Sequence, residues 1–183
     1  MKYFWKIIRE SLIIVLISSL MGLFSGTLLS ANQELFYAIP IILLILPSIN
    51  SLIGDISTVL VSRITSALYI GTIPPKVQKS ERLKENFFGL LTTILLSLIV
   101  LIVLGYILAI TTRIKIFNPF LIIFILLLTV LLLFFIMFVS LFISSILLFK
   151  RGKDPNNFLI PFLTSLADFL TPFFLIVFII IFI

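Results

Sequence analysis

Long apolar stretches separated by short polar ones make up the chain, and the apolar stretches have the length of membrane spans. A bilayer core takes about 20 apolar residues per helix. Five stretches meet that requirement: about Ile7 to Leu29, Phe36 to Ile70, Phe87 to Thr111, Pro119 to Phe149 and Asn157 to Ile183. The polar punctuation is just as local. Pro74 and Pro75 lie in the longest polar stretch, Gly71 to Asn86, and Asn118 before Pro119 reads as a cap with proline in the first helical turn. The pattern predicts an all-α integral membrane protein, a single domain over residues 1–183 with five transmembrane helices.

The second run is too long for a simple span, since about 35 residues make roughly 52 Å of helix. Pro40, Pro47 and Gly54 are expected to break or kink it. Irregular backbone at membrane depth is tolerated where it lines a cavity or is buried in protein. The alternative is a tilted helix that projects into the cytoplasm.

Composition removes whole classes of function. The chain is 62% hydrophobic and 11% charged, with 20 phenylalanines, and its mean hydropathy is +1.39. A soluble domain is about 45–50% apolar and about 25% charged, so the apolar surface needs a lipid bilayer as its partner. A cytosolic enzyme, a disulfide scaffold and a nucleic-acid reader are excluded, although Lys and Arg outnumber Asp and Glu by 13 to 7. The basic excess is read instead as topology, because cytoplasmic loops collect Lys and Arg. Lys2, Lys6, Arg9, Lys76, Lys79, Arg82, Lys84, Lys150, Arg151 and Lys153 fall on one side, and Arg113 and Lys115 on the other. This split predicts a multi-pass cell-membrane protein with its N-terminus inside and its C-terminus outside. Arg9 and Glu10 border the first apolar run, and Leu29 would stand at the −3 position of a cut before Ala31, so a retained span is expected rather than a cleaved signal.

With no His and no Cys, the usual zinc, haem, iron–sulfur and copper sites are excluded. No cofactor is expected, and any bound metal is a hard cation held by oxygen. Ionisable groups inside a membrane span are costly and mark functional sites. Asp55 and Arg63 lie in the second run and Asp168 in the fifth. At 100° per residue, Ser51, Asp55, Thr58, Ser62 and Thr65 share one face of about 80°. Asn157, Pro161, Thr164, Asp168 and Thr171 share a similar face of the fifth helix. Asp168 lies about 16 Å beyond Asn157, close to the midplane of a core about 30 Å thick. A buried ion pair of Arg63 with Asp168 or Asp55 would hold helices together, but it leaves the hydroxyl and amide stripes unexplained; a hydrated ion path explains them.

Two further faces concern packing. Ser18, Gly22, Gly26 and Ser30 recur every four residues on the first helix, a spacing that lets helices approach closely. The third and fourth spans are apolar on nearly every side, Thr92, Thr93, Ser97, Ser140 and Ser144 excepted, and are expected to form the lipid-facing outer layer.

Two stretches carry a family resemblance. Leu46-Pro47-Ser48-Ile49-Asn50-Ser51-Leu52-Ile53-Gly54-Asp55, continuing through Ser62-Arg63-Ile64-Thr65-Ser66 to Gly71, resembles the second-helix motif of the MgtE membrane domain and the MgtE-like solute carriers. Asp154-Pro155-Asn156-Asn157, then Pro161 and Thr164-Ser165-Leu166-Ala167-Asp168, resembles the family's fifth-helix pattern. The resemblance implies a Mg²⁺-selective channel or transporter in which two five-helix units, as a homodimer or a heterodimer with a related chain, build one pore from their second and fifth helices. Asp168 matches the family's ion-binding intramembrane acid, with Thr164 and Pro161 as its pore-side neighbours. The sequence departs from the pattern at Asp55, where the family usually has Asn, at Ala167 for Gly, and at Asn156 for the second Asp. The cytoplasmic Mg²⁺-sensing domains of bacterial members have no counterpart in these residues, so gating by them is not carried over.

The candidate ion-contacting residues are thus Asp168, Thr164, Asn157, Asp55, Asn50 and Thr58. The expected function is passage of a divalent cation, Mg²⁺ foremost, with the ion as cargo and no catalysis. One rival is a membrane subunit that assembles with a partner without transporting. Another is an intramembrane aspartyl protease, but Leu52-Ile53-Gly54-Asp55 lacks the first Gly of Gly-x-Gly-Asp and Ala167 replaces the Tyr before the second acid.

Overall fold

The computed structural model of the chain describes residues 2–78 and 80–183. Lys79 and the side chains of Lys2, Lys6 and Arg9, four of the ten same-side cations, lie outside the described residues. Among the described residues 87% are helical and none is in a strand. Its elements are α1 (Lys2–Ala31), α2 (Gln33–Ala38), α3 (Pro40–Ile70), α4 (Glu81–Thr111), α5 (Pro119–Lys150) and α6 (Pro155–Phe182). All but α2 are long and apolar enough to cross a membrane, giving the five expected spans.

Local chemistry sets the boundaries. The second apolar run is divided at Ile39, whose backbone (φ −130°, ψ 71°) is non-helical. Proline pushes the preceding residue out of the helical region and suits the first helical turn, so Phe36 belongs to the short α2 and α3 starts at Pro40. Pro47 and Gly54 are both absorbed inside α3. That helix ends at Gly71 with φ 79°, the left-handed cap that glycine adopts without strain. Ser80 Oγ caps α4 by accepting from the Leu83 N–H at 3.1 Å. Asn86, placed by its polarity at the end of a loop, is instead a buried residue of α4. Asn118 Oδ1 accepts from the Leu121 N–H at 3.4 Å and Pro119 opens α5, as expected.

The packing puts α3 at the centre, against α4, α5 and α6, with α1 on the outer side of α6. Side-chain contacts define the two ends of the bundle. Tyr69 of α3 packs edge-on against Phe149 of α5, whereas Phe124 of α5 meets Phe182 of α6 at the opposite end. On α1, Ser18 and Ser25 reach Pro161 and Asp168 of α6 in the same chain sense, so these helices run parallel. The loops after α3 and α5 and the start of α1 therefore share one end. Among the described residues, Lys76, Arg82, Lys84, Lys150, Arg151 and Lys153 lie at this end and Arg113 and Lys115 at the other.

Two packing expectations are corrected. The fourth span, α5, is not an outer layer: half of its apolar window is buried, as in α3, while only 6% of the α1 window is. A helix apolar on every side gives no periodic sign of which face meets protein, because lipid accepts any of them. On α1, Gly22, Gly26 and Ser30 are exposed, and a methyl group built on either glycine meets nothing within 4 Å. The protein-facing row is Ile14, Ser18, Met21, Ser25 and Leu28. Its alternating spacing of four and three is the seam of near-parallel helices, not a four-residue repeat.

Candidate functional site

The polar faces of α3 and α6 meet halfway along both helices. Asp55 stands at the middle of Pro40–Ile70 and Asp168 at the middle of Pro155–Phe182. They line one cavity of about 320 Å³ with Pro47, Asn50, Ser51, Gly54 and Thr164. Gly54 faces α6 on this wall, where a Cβ would make ordinary contact with Thr164 Cγ2 at 3.8 Å. Pro47, Ser51, Asp55, Thr164 and Asp168 are all exposed in the single chain, so the cavity opens outward from the bundle.

Several hydrogen bonds hold these groups. Ser51 Oγ donates to Asp55 Oδ2 at 3.5 Å, a long bond one helical turn apart. Thr164 Oγ1 donates to the Pro161 carbonyl at 3.2 Å, which ties that hydroxyl to its own helix. Ser25 Oγ of α1 donates to the backbone carbonyl of Asp168 at 2.6 Å. Asn50 Oδ1 is buried and no protein donor reaches it.

Of the six candidate residues, the cavity gathers Asp168, Thr164, Asp55 and Asn50. It does not include Thr58, one turn farther along α3, or Asn157, which is exposed near the start of α6. Thr65 and Thr171, members of the same sequence stripes, are turned into the core. Arg63 pairs with neither acid: its Nε donates to Asn86 Oδ1 of α4 at 2.8 Å, beside a separate cavity that Arg82 also lines. Ser51, Gly54 and Pro47 were legible as a polar stripe and helix breakers, but not as cavity walls. Ser25 was missed outright, although Pro172, four residues after Asp168, signals a carbonyl in need of a donor.

The polar groups lining this cavity are two carboxylates, an amide and two hydroxyls. Oxygen acceptors of this kind suit hard cations such as Mg²⁺ and Ca²⁺ rather than thiophilic metals. Among the described residues no group of three or more acidic side chains converges. Fold and site together define a multi-pass α-helical membrane protein with two acids on one cavity at the middle of its helices.

The MgtE family model, described as a divalent cation transporter, matches residues 46–178. The chain belongs to this family, a transporter family rather than an enzyme family. The match takes in α4, α5 and the parts of α3 and α6 that form the cavity; α1 and α2 precede it. No curated protein and no solved structure matches the chain.

Proposed function

We propose that the chain is a Mg²⁺-conducting subunit of the cell membrane, with the ion passing between α3 and α6 and Asp168 as its binding carboxylate. The observation that carries this reading is the single cavity that joins Asp55 and Asp168 at the middle of two antiparallel helices. Mg²⁺ dehydrates reluctantly and usually keeps several waters, binding through one or two carboxylates. Carboxylates supply the charge balance, while Asn50 Oδ1 and the Ser51 and Thr164 hydroxyls are acceptors for the ion's waters. The orphaned Asn50 oxygen supports this assignment, since a buried acceptor without a donor is costly.

The outward opening of the cavity supports a second five-helix chain as its missing wall, either a copy of this one or a related protein. Two chains would then bring two Asp168 side chains to one axis. Asn157 and Thr58 lie toward the basic end of the bundle and fit waypoints along the path rather than the central site. The basic-loop end faces the cytoplasm on this reading.

The test is Mg²⁺ flux into proteoliposomes carrying wild type or Asp168→Asn, with assembly followed by size-exclusion chromatography. The substitution keeps size and polarity while removing the charge, and is expected to abolish flux without altering assembly. Equal flux in the two proteins would refute a pore through this carboxylate. It would favour a subunit that only assembles.

A further inference from the structure

Asp168 occupies an unusual place in its helix, because the residue four positions later is Pro172. In an α-helix that later residue's N–H bonds the Asp168 carbonyl, but proline has no N–H and its ring crowds the same carbonyl. At mid-membrane depth no bulk water replaces the bond, and a neighbouring Ser or Thr is one of the few remaining donors. Ser25 of α1, itself buried, supplies that donor at 2.6 Å.

We propose that Ser25 is a positioning residue for the Asp168 carboxylate, a role that rests on Asp168 being the cation-binding group. The Ser25 hydroxyl fixes the peptide plane that follows Asp168, and with it the direction in which the side chain leaves the helix toward α3. Without that bond the carbonyl turns to find another donor and the carboxylate loses its fixed aim into the cavity. The outer helix α1, which lies outside the family match, thereby becomes part of the ion site's scaffold.

The structure contains its own control. Ser18, two turns earlier on the same face of α1, donates to the Pro161 carbonyl at 3.2 Å. The residue four positions after Pro161 is Ser165, which has an N–H, and the Thr164 and Ser165 hydroxyls also reach that carbonyl at 3.2 and 3.5 Å. The two serines make similar contacts between the same helices, but only the Ser25 acceptor has lost its helical amide.

The experiment measures Mg²⁺ flux against concentration in proteoliposomes for Ser25→Ala, Ser25→Thr and Ser18→Ala, each alone and with Pro172→Ala. Ser25→Ala is expected to raise the half-saturating concentration roughly tenfold, in line with loss of an outer-shell partner. Ser25→Thr keeps the hydroxyl and rescues it, and Ser18→Ala leaves the value within about twofold. Pro172→Ala returns an amide to the Asp168 carbonyl, so in that background Ser25→Ala is expected to change the value less than about twofold. If Ser25→Ala fails to fold, recovery of folding by Pro172→Ala supports the same assignment. Equal effects of Ser25→Ala and Ser18→Ala, or the same Ser25→Ala effect or folding failure in both backgrounds, would overturn it. Undiminished flux in Asp168→Asn would instead overturn the ion-binding role itself, whatever Ser25→Ala does.

Discussion

Asp55 is the residue at which this chain departs most sharply from the motif it resembles, and its charge gives a prediction that can be worked from the cavity. Asp55→Asn restores the motif residue, keeps the side chain's size and removes one negative charge from the wall. A sphere of the cavity's volume has a radius of about 4 Å, so a centred ion lies roughly 4–8 Å from a wall carboxylate. The cavity is open, and a water-like dielectric is therefore the conservative choice. For a dication and one carboxylate it gives about 1–2 kcal/mol, or roughly a 5- to 30-fold loss of apparent affinity. Flux at saturating Mg²⁺ is expected to persist, because Asp168 and the oxygen lining are untouched. The assay is the concentration dependence of Mg²⁺ uptake into proteoliposomes at low salt and at about 1 M monovalent salt, where the Debye length of about 3 Å is shorter than the cavity radius. A charge effect shrinks under that screening, whereas a steric one does not. An unchanged half-saturation at low salt, or an equal shift at both salts, would show that Asp55 does not act on the ion through its charge.

Two other outcomes follow from the same geometry. Protons and a dication compete for carboxylates, so acidifying the entry side toward about pH 5 is expected to lower wild-type flux; a flat wild-type profile, read by pH-stepped uptake, would count against carboxylate binding. Gly105→Ala tests the packing of α4 on α3. A Cβ there would lie 2.9 Å from both Cγ1 and Cδ1 of the fully buried Ile45. Overpacking of about 1–3 kcal/mol is set against about 1 kcal/mol of gained helix propensity, giving a net loss of up to about 2 kcal/mol. Thermal unfolding in detergent should show the lower stability, and a variant as stable as wild type would mean that the two helices have slack at this contact.

How much of this architecture was legible follows from what lipid does to the usual signals. The spans were legible because length and apolarity are what a bilayer selects, and their ends because capping is local: Asn118 and Gly71 do in the structure what these residues do at any helix terminus. Burial was not legible in the same way. In water an exposed Leu row is costly, so apolar periodicity identifies the inner face. In lipid it costs nothing, which is why α5, half buried, and α4, largely exposed, looked alike from sequence. The small-residue face of α1 misled for a related reason. Glycines permit close approach but do not require it, and Gly22 and Gly26 face away from the bundle.

Polar atoms keep their cost in either setting, and four of the six candidate residues line one cavity. Asp55, Asp168, Thr164 and Asn50 converge because an unpaired oxygen at mid-depth must find company, and two helices each carrying one polar stripe lower that cost by facing each other. The same logic, applied to backbone rather than side chains, would have found Ser25. Pro172 deletes a donor at a known distance along the helix, so a hydroxyl from another helix had to be sought for the Asp168 carbonyl. Pro161 and Pro47 pose the same question for the carbonyls of Asn157 and Leu43, four residues before each. A membrane sequence is therefore read best by accounting for every polar group, main-chain carbonyls before prolines included, and least well by the hydrophobic pattern that announces the membrane.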